Sequence, residues 1–308
     1  MTGELDFIAA LRALATAPEA RGLDDDAALL GRLVLTHDMI AEGVHYLATD
    51  PPERVAEKLV AVTLSDLAAK GATPVGVLLG YCLGDGEWDR RFLAGLATAL
   101  ADYDCKLLGG DTIAVPGARV LGLTAIGEAG ERVPDRAGGR AGDGLWLIGT
   151  LGDSAAGLAQ LLADPAATGP LVDACQRPRA LIAEGCALAP IASAMMDVSD
   201  GLLIDAARMA RASKMRIVID LAALPLSDAF RSARGDDRAA RLFAATGGDD
   251  YALLAALRPG AKAKVTKCLP SGAQMVRIGE LVAGAGIALI DDGEPVELPE
   301  HLGHEHRS

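Results

Sequence analysis

Apolar residues recur along this chain with two periods, and acidic residues fall where those periods break. Leu5, Ile8, Leu11 and Leu14 repeat at helical spacing and predict a first amphipathic helix. After an acidic loop over 22–27, the apolar run Leu29–Leu35 predicts a strand that ends at Thr36-His37-Asp38. Asp50-Pro51-Pro52-Glu53 has the form of a helix start, with Asp50 as N-cap, and the helix is expected to run to about Lys70 with Gly71 as its stop. The stripe of this helix, Val55, Leu59 and Val62, continues at the next step to Asp66, which places a carboxylate on the buried face.

Strands are predicted at 75–83 and 119–129 around a helix at about 87–103, so the first half alternates strand and helix. An Arg- and Gly-rich stretch over 132–143 marks a boundary between domains at 1–137 and 138–308. The second half predicts a strand at 144–150, helices after Asp153 and within 180–194, then a helix over 198–213 and a strand at 215–221. Two short helices lead to Gly247-Gly248-Asp249-Asp250-Tyr251 and an apolar strand. Strands near 274–282 and 286–290 follow, with Asp292-Gly293 as a turn.

The acids form a set of their own. Asp24-Asp25-Asp26, Asp38, Asp66, Gly109-Gly110-Asp111-Thr112 and Asp197-Val198-Ser199-Asp200 lie at predicted element ends or on apolar faces. Two carboxylates about 4 Å apart repel by roughly 4 kcal/mol at an effective dielectric near 20, so their convergence requires cations. The paired glycines before Asp111 allow close backbone approach to a ligand, or a plain turn. Ser199 is placed to cap the helix that follows it, where free amides suit a phosphate. His37 and His45 flank Asp38, whereas His301, His304 and His306 belong to a polar tail expected to face solvent.

Composition narrows the function. A hydrophobic content of 51% supports a large core, while 3% aromatics and a net charge of -13 disfavour a nucleic-acid partner. Cys82, Cys105, Cys175, Cys186 and Cys268 make no CxxC pair and suit free thiols in a reducing cytoplasm. No signal peptide or membrane span is indicated. A P-loop, a GxSxG elbow and zinc spacings are absent. Hard carboxylates and glycine turns without a nucleophile point to phosphoryl transfer by positioning and charge neutralisation.

Taken in order, Asp-Asp-Ala-Ala-Leu-Leu, Thr-His-Asp-Met-Ile-Ala-Glu-Gly-Val-His, Ala-Val-Thr-Leu-Ser-Asp-Leu-Ala-Ala-Lys-Gly-Ala-Thr-Pro, Gly-Gly-Asp-Thr, Asp-Val-Ser-Asp-Gly-Leu and Gly-Gly-Asp-Asp-Tyr resemble the bacterial thiamine-monophosphate kinase family, from about Leu5 to Val296. That family lies within the aminoimidazole ribonucleotide synthetase superfamily. The resemblance implies a two-domain α/β (α+β) fold, with an N-terminal mixed sheet pairing across a homodimer and a C-terminal α/β domain. It implies transfer of the γ-phosphate of ATP to thiamine monophosphate with several Mg2+ ions, in the cytoplasm. Asp26, Thr36, His37 through its backbone, Asp38, Asp66, Asp111, Asp197 and Asp200 are the implied metal ligands. Gly110, Asp111, Arg136 and Ser199 are the implied ATP contacts, and His45 and Asp249 the implied substrate contacts. This sequence departs from the family pattern at Asp24, where Gly is usual, and at His37, where Thr is usual. It departs again in Glu300, His301 and His304, which stand where the family presents aromatics. Another superfamily enzyme, or a nucleotide- and metal-binding protein without turnover, is the alternative.

Overall fold

The computed structural model describes residues 4–304; His306 lies outside them. The N-terminal half holds α1 (Glu4–Arg12), β1 (Ala28–Leu30), β2 (Leu33–Ala41), α2 (Pro52–Ala69), β3 (Ala72–Cys82), α3 (Gly86–Asp102), β4 (Lys106–Ile113) and β5 (Val120–Ala129). Its five strands form a mixed sheet in the order β1-β2-β5-β3-β4, with β3 and β4 parallel and the other neighbours antiparallel.

The C-terminal half begins with β6 (Gly144–Ile148), α4 (Asp153–Ala163), α5 (Pro170–Gln176), α6 (Ile182–Leu188), β7 (Ala194–Val198), α7 (Leu202–Ser213) and β8 (Arg216–Asp220). It continues through α8 (Asp228–Arg234), α9 (Arg238–Gly247), β9 (Ala252–Leu257), α10 (Lys262–Cys268), β10 (Met275–Val282), β11 (Gly286–Asp291) and β12 (Glu294–Val296). These strands make a seven-stranded mixed sheet, β12-β11-β8-β10-β6-β9-β7, which leaves β7 at an edge.

Helix α2 joins the two halves. Val55, Leu59, Val62, Leu64 and Leu67 pack into the core of the five-stranded sheet, while Ala68 and Ala69 belong to a cluster with Leu188, Met195 and Leu253. The fit is close: a Cβ on Gly185 of α6 would lie 2.0 Å from the Ala68 carbonyl oxygen. Being apolar on both sides, the helix buries almost its whole length. Gly71 ends it at φ +60, a backbone conformation that favours glycine.

Two local expectations are corrected and one open alternative is decided. The strand expected over 29–35 is a hairpin, because Gly31 at φ +63 turns the chain between β1 and β2 and leaves Thr36 and Asp38 in mid-strand. Asp50 does not cap α2. Its carboxylate accepts instead from Leu47 N at 2.8 Å and from Gln176 Nε2 at 2.7 Å, with Pro51 at the cap position. Gly109-Gly110 forms no turn but runs extended in β4, where a Cβ on Gly110 would lie 2.0 Å from Leu79 O in the neighbouring strand.

Candidate active site

Four elements converge where α2 meets both sheets. The loop before β1 supplies Asp25 and Asp26, β2 supplies Thr36 and Asp38, α2 supplies Ser65, Asp66 and Lys70, and the end of β7 supplies Asp197. Alternation along β2 turns Val34, Thr36, Asp38 and Ile40 inward and leaves His37 and Met39 outward. One carboxylate oxygen from each of Asp26, Asp66 and Asp197 lies within 4.8 Å of the others.

Fixed charge is unevenly shared in this group. Lys70 Nζ lies 2.5 Å from both Asp25 Oδ1 and Asp26 Oδ2, Arg136 Nε lies 2.6 Å from Asp26 Oδ1, and Arg21 pairs with Asp25 at 2.6 Å. Burial pushes the Asp26 carboxyl up, but Lys70 and then Arg136 outweigh it and hold its pKa below the usual value. Among the described residues, the donors to Asp66 and Asp197 are hydroxyls alone, Thr36 to Asp66 and Ser65 Oγ to Asp197 Oδ2 at 2.7 Å. Asp38 Oδ2 is buried without a hydrogen-bond partner. Burial, reinforced by Asp26, raises Asp197 to about 8 and Asp38 to about 6; burial, then Asp38 and Asp197, raises Asp66 well above its ordinary value.

Such a group fits a hard divalent cation. Oxygens up to 4.8 Å apart repel by roughly 3.5 kcal/mol or more per charged pair at an effective dielectric of 20, and Asp38, whose buried Oδ2 is orphaned, lines the same cavity as Asp66 and Asp197. A cation removes both penalties at once.

Beside the carboxylates opens a cavity of about 450 Å³, lined among others by Asp38, His45, Lys58, Asp66, Asp197 and Asp249. The expected substrate contacts His45 and Asp249 therefore share a wall with the expected metal ligands. Asp249 is held by Lys58 Nζ at 2.6 Å, Ser154 Oγ at 2.7 Å and Tyr251 OH at 2.9 Å. Gly248, at φ +71, lets this loop approach the preceding one: a Cβ there would lie 2.9 Å from Ser199 O and Asp200 O. Asp250 has a different task, accepting from Gly152 N at the start of α4 at 2.9 Å.

Other expected residues have different neighbours. Asp200 lines the cavity but its Oδ2 takes Arg208 at 2.5 Å. Ser199 also lines the cavity and caps nothing; Gly201 is the cap residue of α7, and Asp205 accepts from Ser199 N and Asp200 N at 3.1 Å. The His37 ring lies 2.9 Å from Thr124 Oγ1, on the face of β2 opposite Asp38. Gly110 and Asp111 are not brought to the cluster within one chain. The register Asp38–Leu123–Leu79–Gly110 crosses three inter-strand steps, roughly 14 Å at about 4.8 Å each. Asp24 turns outward to Arg12 with φ -107, so no glycine is needed there.

Sequence reasoning missed Lys70, Lys58, Ser65 and His304. Lys70 follows Asp66 by one helical turn and extended the same stripe, which was its signal. His304 is exposed, as expected, yet its backbone N donates to Asp200 O at 2.8 Å and the residue lines the cavity.

Both halves match models of the AIR synthase related proteins, the N-terminal domain over residues 24–129 and the C-terminal domain over 140–292. This sets the class to which fold and site belong. The chain is 38% identical to the thiamine-monophosphate kinase of Caulobacter vibrioides, over 98% of this chain and 90% of that protein. To the enzyme of that name from Escherichia coli K12 it is 36% identical, over 92% and 91%. A solved structure of AaThiL complexed with AMPPCP and TMP superimposes with a TM-score of 0.84 at 31% identity, covering 98% of this chain and 97% of that one. The chain belongs to the thiamine-monophosphate kinase family.

Proposed function

We propose that this protein transfers the γ-phosphate of ATP to the phosphate of thiamine monophosphate, giving ADP and thiamine diphosphate, in a cytoplasmic pathway to that cofactor. The observation that carries this reading is the convergence of three carboxylates, Asp26, Asp66 and Asp197, of which Asp66 and Asp197 line a cavity large enough for a phosphorylated acceptor. Family membership and a homologous structure complexed with AMPPCP and TMP support it. Among the described residues no helix is long and apolar enough to cross a membrane.

Asp26, Asp38, Asp66 and Asp197 are the residues that would hold Mg2+, with Thr36 and Asp200 at the margin. Bound there, Mg2+ supplies charge neutralisation for the reacting phosphates. The acceptor is itself a phosphate, so no general base is required, and the chain contributes alignment. Lys58, Ser154 and Tyr251 fix Asp249 toward the acceptor, and His45 orients it from the opposite segment. Arg136, partly exposed at the cluster's edge, and Ser199 are assigned to ATP.

The same reading includes a homodimer. Edge strand β4 is exposed along its length, and Met39, Val75, Leu78, Leu107 and Ile113 present apolar side chains to solvent from the five-stranded sheet. A second copy covering this face would remove an exposed apolar edge. Gly110 and Asp111 would then meet ligands at the interface. Size-exclusion chromatography with light scattering tests it: a species of twice the chain mass is expected, and a monomer at micromolar concentration contradicts it.

The activity is tested by incubating the protein with ATP, Mg2+ and thiamine monophosphate and resolving the thiamine species, with unphosphorylated thiamine as control. Thiamine diphosphate formed from the monophosphate alone is the expected result. ATP binding without product moves the protein to the non-catalytic alternative.

A further inference from the structure

We propose that Lys70 is a built-in cation of the carboxylate cluster: its ammonium holds the position between Asp25 and Asp26 that a metal ion would otherwise fill. Added ions are thereby confined to the side formed by Asp38, Asp66 and Asp197, with Asp26 shared. The proposal deepens the metal-binding reading above and rests on it.

Three observations carry it. Lys70 is completely buried, and the side chains of Asp25 and Asp26 are buried to within 1%. Its ammonium donates to Asp25 Oδ1 at 2.5 Å and to the Met195 carbonyl at 3.3 Å, and it ion-pairs with Asp26 Oδ2 at 2.5 Å, so its charge is met on every side. Carboxylates on the two sides of Asp26 also differ in kind. Asp25 has ion pairs with Lys70 and Arg21, whereas among the described residues Asp66 and Asp197 accept only from hydroxyls and Asp38 Oδ2 has neither an ion pair nor a hydrogen bond.

A divalent ion between Asp25 and Asp26 would have to displace Lys70 into apolar surroundings, at the cost of a buried charge without a partner. The tethered ammonium costs no binding entropy and is present before any metal arrives. Together with Arg136 on Oδ1, it therefore sets the direction of the Asp26 carboxylate in the metal-free protein, with one oxygen held within 4.8 Å of those of Asp66 and Asp197. Lys70 is a positioning residue, acting on the metal site through Asp26.

The test compares wild type, Lys70→Met, Lys70→Arg and the double variant Asp25→Asn/Lys70→Met as full chains. Bound Mn2+ is counted by equilibrium dialysis, and thermal unfolding is followed in chelator and in saturating Mg2+. The expected result is one more Mn2+ per chain for Lys70→Met than for wild type, with a wider gap between its chelator and Mg2+ midpoints. Lys70→Arg keeps the wild-type count. Lys70→Met folded only with metal supports the proposal in its strongest form. If that variant folds in neither condition, the double variant decides: recovery of folding with the wild-type count supports the proposal, and no recovery overturns it. An unchanged Mn2+ count in Lys70→Met, with both midpoints lowered equally, also overturns it and leaves the metal site standing. Wild type that takes up no Mn2+ instead removes the metal-binding reading itself.

Discussion

Ser65 Oγ on α2 donates a 2.7 Å hydrogen bond to Asp197 Oδ2 on β7, joining residues 132 positions apart in sequence. Both side chains are buried, so the bond ties the helix under the first sheet to the edge of the second and aims the Asp197 carboxylate at Asp26 and Asp66.

Ser65→Ala removes the donor and leaves a buried acceptor, a loss of about 1–3 kcal/mol. The expected outcome is a lower unfolding midpoint and a higher Mg2+ concentration at half-maximal activity, with the KM for thiamine monophosphate unchanged. Denaturant titration and Mg2+-dependent kinetics measure the two effects separately.

Asp66→Asn and Asp197→Asn separate stability from function. Either change removes the cost of holding a carboxyl protonated among buried acids while keeping shape, so unfolding in chelator near neutral pH should become harder by about 1–3 kcal/mol. Turnover should fall at least about a hundredfold, the scale seen when transition-state charge loses a stabilising partner. Urea unfolding in chelator and a steady-state assay on the same preparations provide the check; a destabilised, active variant would count against the cluster.

The raised pKa values set a direction with pH. Asp38 near 6 and Asp197 near 8, both lifted first by burial and then by Asp26, favour protonated carboxyls in the cation-free fold. Their stabilising contribution is full below about pH 4 and is lost as pH rises through 6 and then 8. Cations require the deprotonated forms, so metal affinity should rise over the same window, about tenfold per pH unit for each proton released. Calorimetry with Mn2+ in two buffers of different ionisation enthalpy detects the protons.

Much of this site was legible because acids on apolar stripes violate the usual pattern. Asp66 stands out on the Val55–Leu59–Val62 face, and the structure places it there, partly buried, beside Asp26 and Asp197. Partners brought by long-range packing were not legible: Lys58 meets Asp249 across 191 positions, and nothing local to either residue signals the other. The β1–β2 hairpin reads as one strand in sequence because its turn is only Gly31-Arg32, a two-residue interruption between the apolar Leu29-Leu30 and Leu33-Val34-Leu35. The extended Gly109-Gly110 was weighed as a turn because the close approach of Leu79 O, which excludes a side chain at Gly110, belongs to tertiary structure.

Gly248→Ala tests the packing of the loop that carries Asp249. The new methyl meets Ser199 O and Asp200 O at 2.9 Å in a left-handed backbone region, a cost of about 1–3 kcal/mol. Shifting Asp249 should raise the KM for thiamine monophosphate while Mn2+ affinity at the carboxylates stays near wild type. Kinetics and Mn2+ titration of the one variant distinguish the effects.

The most direct measurement is an anomalous difference map from a crystal grown with Mn2+ and a non-hydrolysable ATP analogue. The account predicts a peak enclosed by Asp26, Asp66 and Asp197, with Asp38 turned toward it and Lys70 still between Asp25 and Asp26. An occupied nucleotide site with Mn2+ elsewhere and no peak among those three carboxylates would contradict it.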